Sequence, residues 1–167
     1  DAVLLGLRNS QADIVSFVDS DGQYDPKDLR RLYEKLEPGK IVVGYRHPRV
    51  DNIFRLIISN SFKRLYELLL KIKLNDPSCG YFMAYRKDVQ KIIEKEEIGY
   101  LKEGFWWEFY AWCTKAKLII VEIPINHFNR DYGNTVVFNI RKIPGIAYRS
   151  IIGLFKLKRL ISSSKSL

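Results

Sequence analysis

Short apolar runs alternate with stretches of helical spacing along this chain. Ala2 to Arg8 carries Val3, Leu4 and Leu7 at helical intervals and stops at Asn9-Ser10. Ile14-Val15-Ser16-Phe17-Val18 is apolar and β-branched, with the length of a buried strand in a parallel sheet. Asp25-Pro26 opens a helix, Pro26 suiting its first turn and Asp25 or Asp28 its positive end. Leu29, Leu32, Tyr33 and Leu36 form the predicted buried face of that helix. Pro38-Gly39 then turns the chain into a strand, Ile41-Val42-Val43-Gly44. Strand, helix and strand with short links make a βαβ unit and favour a parallel sheet. After a loop, a long helix is predicted from Ile53 to Ile72, apolar at Phe54, Ile57, Ile58, Phe62, Leu65, Tyr66 and Leu69. A strand from Tyr81 to Tyr85, a helix from Lys87 to Glu94, an aromatic-rich helix from Glu103 to Lys115 and a strand from Leu118 to Ile123 follow. From Val136 the pattern gives one or two helices with a break near Pro144-Gly145.

Composition supports one packed domain. The 167 residues are 47% hydrophobic and 13% aromatic, which excludes disorder as the main state. The two cysteines, Cys79 and Cys113, make no disulfide framework and point to a reducing compartment. No run of about 18 uncharged apolar residues marks a transmembrane helix. The net charge of +9 is unevenly placed: no Asp or Glu follows Asp131. The last helical stretch sets Arg149, Lys156 and Arg159 near one face and Ala147, Ile151, Leu154 and Phe155 near another. That is the pattern of a basic amphipathic helix lying on a membrane, although a charge run is often only a solvated face. Residues 1–135 are therefore expected to form the globular part and 136–167 a basic helical tail.

The chemistry concentrates after the first strand. Asp19 and Asp21, one residue apart, lie at its C-terminal end, where open α/β sheets place ligands. Two such carboxylates are costly without a positive partner, and a hard cation such as Mg²⁺ or Mn²⁺, bridging a ligand's phosphates, fits them. An Asp-rich turn that caps the next helix is the plainer reading, and it suits Asp25 best. His47 and His127 have no metal-ligand spacing. The cluster of Trp106, Trp107 and Trp112 reads as core before it reads as a sugar platform.

Several pieces occur in one order: Ile-Val-Ser-Phe-Val-Asp-Ser-Asp-Gly-Gln with Asp25-Pro26, then Val43-Gly44-Tyr45-Arg46, then Asp76-Pro77-Ser78-Cys79-Gly80-Tyr81. Val121-Glu122-Ile123-Pro124-Ile125 and Arg130-Asp131-Tyr132-Gly133 complete the set. Together they resemble family 2 glycosyltransferases of the GT-A fold, in the branch of dolichyl-phosphate mannose synthase and bacterial polyprenyl-phosphate glucosyltransferases. The likeness spans roughly Ala2 to Gly133. It implies an α/β, Rossmann-like, mostly parallel sheet flanked by helices. The family's first strands, which hold base and ribose, would lie before Asp1, so the chain is expected to lack its nucleotide-binding start.

The resemblance also implies roles. Asp19 and Asp21, with Gln23 facing the same ion, would hold Mg²⁺ or Mn²⁺ against the donor diphosphate, and Arg130 would close over it. Arg46, Arg55 and Ser59 match positions that bind the acceptor's phosphate, work for which arginine is suited; an ordinary surface ion pair is the alternative. Asp76 would bond the donor sugar or act as a base. Glu108 would be a base for a hydroxyl acceptor, or else a satisfied helix carboxylate. The family usually continues Gly-x-Ser-Lys, whereas Gly133-Asn134-Thr135-Val136 keeps a hydroxyl and lacks the lysine. The expected function is metal-dependent, inverting transfer of a hexose from a GDP- or UDP-sugar to a polyprenyl or dolichyl phosphate. The expected site is the cytoplasmic membrane face, with peripheral attachment and no nucleic acid partner. The rival readings are a family 2 enzyme acting on a sugar hydroxyl and a non-catalytic fragment that binds membrane or a partner. No Gln-x-x-Arg-Trp motif of processive synthases is present.

Overall fold

Four apolar runs pair into one sheet: β1 (Ile14–Phe17), β2 (Lys40–Arg46), β3 (Phe82–Tyr85) and β4 (Ile119–Ile125), in the order β1-β3-β2-β4. The structure is a computed structural model that describes residues 2–49, 53–94, 98–101, 104–128 and 143–163. The helices are α1 (Ala2–Asn9), α2 (Asp28–Tyr33), α3 (Ile53–Leu70), α4 (Arg86–Ile93), α5 (Phe105–Lys115) and α6 (Ile143–Ser163).

β3 pairs antiparallel with both β1 and β2, while β2 and β4 pair in parallel. β1, β2 and β4 therefore run one way and β3 the other. The predicted shared direction of β1 and β2 holds, but they are not neighbours as a simple βαβ unit would have them, because β3 lies between. Phe82, Met83 and Ala84 on β3 are all buried, which is what an uninterrupted apolar run needs at the centre of a sheet. The consequence for the site is geometric. The C-terminal ends of β1, β2 and β4 and the loop entering β3 all meet at one edge of the sheet.

Each face of the sheet has its own core. One packs Val15, Ile41, Val43, Phe82 and Ala84 under Tyr66, Val89, Phe109 and Trp112. The other packs Val42, Met83, Ile123 and Ile125 against Leu32, Cys79 and Tyr81. Trp107 and Trp112 are core, as their pattern predicts, and the Tyr66 hydroxyl donates to the Trp107 carbonyl at 3.0 Å.

Two predicted apolar faces differ from expectation. Tyr33 on α2 is exposed. On α3, Phe62, Leu65, Tyr66 and Leu69 pack on the core, but Phe54 is 69% exposed, and Ile53, Ile57 and Ile58 are also exposed. Periodicity reports which side chains avoid water together, not what covers them. α6 starts at Ile143 with Pro144 in its first turn, buries Gly153, Leu154 and Leu157, and leaves Tyr148, Ile151, Ile152 and Phe155 exposed. A Cβ on Gly153 would collide with the Tyr100 carbonyl, so this glycine sets how closely α6 meets the 98–101 loop.

Candidate active site

The turn after β1 carries Asp19, Asp21 and Gln23 at the convergent edge of the sheet. Gly22 has φ +77°, a left-handed conformation that a side chain resists. The Asp21 Oδ1 accepts the Gln23 backbone N–H at 3.2 Å. Gln23 ties the turn to the chain beyond β4: its Nε2 donates to the Phe128 carbonyl at 3.2 Å, and the Phe128 N–H donates to the Gln23 carbonyl at 2.9 Å. Its Nε2 also lies 3.5 Å from His127 Nε2. Tyr24 bridges to His127, and the buried Asp28 accepts the Asn126 N–H at 2.9 Å. Residues 126–128 are thus held from three points on the β1–α2 connection. Asp25 accepts the Lys27 N–H at 2.9 Å, closing a turn just ahead of α2 rather than the helix cap expected of it, since Lys27 is the N-cap.

Asp19 is exposed and Asp21 is half-buried. Among the described residues no three His, Cys, Asp or Glu side chains converge on one point. The donor chemistry is two hard oxygen ligands in an open turn. That suits a cation taking its remaining ligands from a diphosphate and water, and does not suit a closed protein cage. Gln23 lies on the same turn, with its amide engaged by residues 127 and 128.

A second cluster lies at the end of β2. Arg46 Nε donates to Asp76 Oδ2 at 2.6 Å and Nη2 to Oδ1 at 2.9 Å, a bidentate pair, and Nη2 also reaches Ser78 Oγ at 2.6 Å. Both partners are buried, Asp76 to 5% exposure. Arg49 adds its Nη1 at 3.7 Å from Asp76 Oδ1 and 3.4 Å from Ser59 Oγ. The loop carrying Asp76 is pinned by Glu122 of β4, whose carboxylate accepts the Asn75 N–H at 2.7 Å and its side-chain amide at 3.1 Å. Burial raises the Glu122 carboxyl, and these backbone bonds and Lys63 only partly offset it.

Burial alone would raise the Asp76 carboxyl as well. The Arg46 bonds and charge, helped by Arg49 and Ser78, override it and hold Asp76 down at about 2. Burial disfavours the Arg46 cation, yet Asp76 keeps it charged far above neutral pH. Tyr24 links the two clusters: burial pushes its hydroxyl well above the usual range, and both Arg46 and Asp19 act on its charge. Beside it, burial and then Asp76 push the Cys79 thiol up to about 12, so this cysteine is inert.

Two residues weighed as bases have distinctive surroundings. Glu108 is 0% exposed, and its oxygens accept the Gly99 N–H at 2.9 Å and the Leu101 N–H at 2.8 Å. It fastens the 98–101 loop to α5, in the manner of the satisfied helix carboxylate weighed above. Asp76 is held at about 2 by its bidentate pair with Arg46. Arg46, Asp76 and Ser59 come together through Arg49, and Arg55 stands one turn before Ser59 on α3. Arg130 lies outside the described residues.

Sequence reasoning missed Arg49, Ser78 and Glu122. Each left a trace: Arg49 repeats the arginine three positions after Arg46, Ser78 follows Asp76 by two, and Glu122 is the one charge within Ile119–Ile125.

Known proteins with this fold include a glucosyl-3-phosphoglycerate synthase from Mycobacterium tuberculosis, crystallised with Mn²⁺, uridine-diphosphate-glucose and glycerol 3-phosphate. It superposes with a TM-score of 0.58 at 18% identity, over 95% of this chain and 54% of that one. The sheet and its flanking helices are thus a GT-A arrangement. An undecaprenyl-phosphate mannosyltransferase from Micrococcus luteus is 27% identical over 128 residues, 74% of this chain and 52% of that protein. A polyprenol monophosphomannose synthase from Mycolicibacterium smegmatis is 26% identical over 136 residues, 77% of this chain and 50% of that protein. An undecaprenyl-phosphate 4-deoxy-4-formamido-L-arabinose transferase from Klebsiella pneumoniae is 29% identical over 140 residues, 80% of this chain and 39% of that protein. The chain therefore spans about half the length, or less, of the curated relatives it matches. The family model described as "Glycosyl transferase family 2" matches residues 1–93. That is more than half of the sequence, and the chain belongs to glycosyltransferase family 2.

Proposed function

We propose that this chain is the acceptor-facing part of an inverting glycosyltransferase that moves a hexose from a GDP- or UDP-sugar to a polyprenyl or dolichyl phosphate. The observation that carries this reading is the arginine cluster at the sheet edge. Arg46 from β2, Arg49 from the loop and Ser59 from α3 meet around one buried carboxylate, close to the Asp19–Asp21 turn. Arginine forks built into a scaffold suit phosphate oxygens. Relatives named for undecaprenyl-phosphate and polyprenol substrates support the same acceptor class.

Asp19 and Asp21 would hold Mg²⁺ or Mn²⁺, with Gln23 on the same turn, and Arg130 would cover the donor diphosphate. A bound cation supplies charge neutralisation for the departing nucleoside diphosphate. The acceptor phosphate is already an anion near neutral pH, so its oxygen attacks the anomeric carbon directly. One carbon–oxygen bond forms as the bond to the diphosphate breaks, and the configuration inverts. No protein base is required, in keeping with Asp76 held at about 2 and Glu108 enclosed by backbone donors. A hydroxyl acceptor would require a base, which neither supplies. Base and ribose would sit on further strands beside β1, an edge strand among the described residues that borders a cleft of about 590 Å³ with α1.

Membrane attachment follows from the outer surface. α3 and α6 pack together and expose Phe54, Ile57, Ile58, Tyr148, Ile151 and Phe155, while Arg149, Lys156, Lys158 and Arg159 of α6 are also exposed. Apolar side chains beside basic ones fit the interface of an anionic bilayer, here its cytoplasmic face. No helix among the described residues is long and apolar enough to cross a membrane. The test is an assay of the full-length protein with a panel of nucleotide-sugars and polyprenyl phosphate, with and without Mn²⁺. Glycolipid should form from one donor and vanish when the cation is chelated; absence of glycolipid from every donor would overturn the proposal.

A further inference from the structure

We infer that Glu122 is a positioning residue for the acceptor-phosphate cluster, acting with Lys63 through Asn75 to hold the Asp76 loop and α3 at one spacing. This deepens the lipid-phosphate reading above and rests on it. The residues assigned there to phosphate stand on separate pieces of chain: Arg46 ends β2, while Arg55 and Ser59 lie on α3. A tetrahedral anion needs donors from more than one direction, so those pieces must be tied. The tie is at Asn75. Glu122 reaches it from β4: Oε1 accepts the Asn75 N–H at 2.7 Å and the Asp76 N–H at 3.4 Å, and Oε2 accepts the Asn75 side-chain amide at 3.1 Å. Lys63 reaches it from α3, its Nζ donating to the Asn75 carbonyl at 3.0 Å. The same Nζ lies 3.9 Å from Glu67 on its own helix. Asn75 is exposed, yet its N–H, its carbonyl and its side chain are all engaged.

Register connects this clamp to the site on both sides. Lys63 stands one helical turn beyond Ser59, which stands one turn beyond Arg55, so the three project from one face of α3. On the other side Asp76 follows Asn75 directly and grips Arg46 by the bidentate pair. Glu122 is itself in register with Val43, three residues before Arg46 in the parallel β2–β4 ladder. The chain of contacts therefore runs from Ser59 through Lys63, Asn75 and Asp76 to Arg46, with Glu122 fastening its middle to the sheet. Hydrogen bonds that orient a binding residue from behind act on affinity without touching the ligand.

The test uses the full-length protein with a short-chain, water-dispersible polyprenyl phosphate, varying acceptor and donor separately. Glu122→Met removes the acceptors and should raise the acceptor KM by about fivefold or more, leaving the donor KM within about twofold. Glu122→Gln keeps an oxygen for the two backbone N–H groups and should return the acceptor KM to within about twofold of the parent. Lys63→Met should raise the acceptor KM by about threefold, and the double variant should add little to the larger single effect, because both residues act through Asn75. Strictly additive rises, an unchanged acceptor KM, or equal rises in both KM values would overturn the inference and leave Glu122 a structural brace. If Glu122→Met fails to fold, Lys63→Met decides: a selective rise in acceptor KM supports the assignment, and none refutes it. Arg55→Gln and Ser59→Ala separate this inference from the reading beneath it. If they raise the acceptor KM and neither Glu122→Met nor Lys63→Met does, the clamp alone was misassigned. If none of the four does, the acceptor site is elsewhere and the inference falls with it.

Discussion

The same edge of the sheet holds two groups of aspartates in opposite circumstances. Asp19 and Asp21 stand in an open turn, one exposed and one half-buried. Asp76 is buried and gripped by a bidentate arginine, a serine and a second arginine. The first pair meets water, the setting that the cation and diphosphate proposed for it would need. The second is already neutralised, so it acts on what surrounds it. On the function proposed above, acidic residues at this edge divide into those that would receive a ligand and those that build the wall behind it, and exposure with partner geometry separates the two.

Removing half of the buried pair should have the largest effect on stability. Arg46→Met leaves Asp76 with only the distant Arg49 as a charged partner among the described residues and should cost about 3–5 kcal/mol in urea unfolding. An Arg46→Met loss under about 1 kcal/mol would mean that the pair is wet and the contrast false. Acid gives a smaller effect. The Asp76 carboxyl sits at about 2 in the fold against 3.8 ordinarily. Its contribution is therefore fully present above the ordinary value and is lost as the pH falls through about 2. It amounts to on the order of 2 kcal/mol, and Asp76→Asn should flatten that limb of the stability profile. The smallest change in stability belongs to the open pair. Asp19→Asn should shift unfolding by no more than about 0.5 kcal/mol. Glycolipid synthesis by the full-length variant should nevertheless fall by about 100-fold or more, with Mn²⁺ binding weakened in calorimetry. A stability loss like that of Arg46→Met would erase the distinction.

Local features of the sequence carried much of this. The Ile14–Phe17 run, the carboxylates after it and the aromatic core helix follow from patterns a few residues long, whereas α2 opens at Asp28 rather than at the expected Asp25-Pro26, which instead make a turn ahead of it. The insertion of β3 between β1 and β2 does not, because strand order depends on pairings between Ile14 and Tyr85 or Ile41 and Ala84, far apart in sequence. The same limit hid the Arg46–Asp76 bond, which joins residues 30 positions apart. The resemblance of its loop gave Asp76 as a sugar ligand or base; its buried pairing with Arg46 shows only in the fold. Glu108 was ambiguous for a related reason, since its partners are backbone N–H groups that have no side-chain signature. The start of α3 was apolar as predicted, but hydrophobic spacing cannot distinguish a protein core from another apolar medium.

Gly80 and Trp106 carry a consequence for how such a chain can vary over time. A Cβ at position 80 would lie 2.6 Å from the Trp106 indole nitrogen. The ring has little room to yield, with Phe17, Phe82, Phe105 and Phe109 around it. The loop residue and the helix residue are therefore not free to drift apart by single steps. A side chain at 80 would therefore require the Trp106 ring to move or be replaced by a smaller one, which couples the two positions sterically.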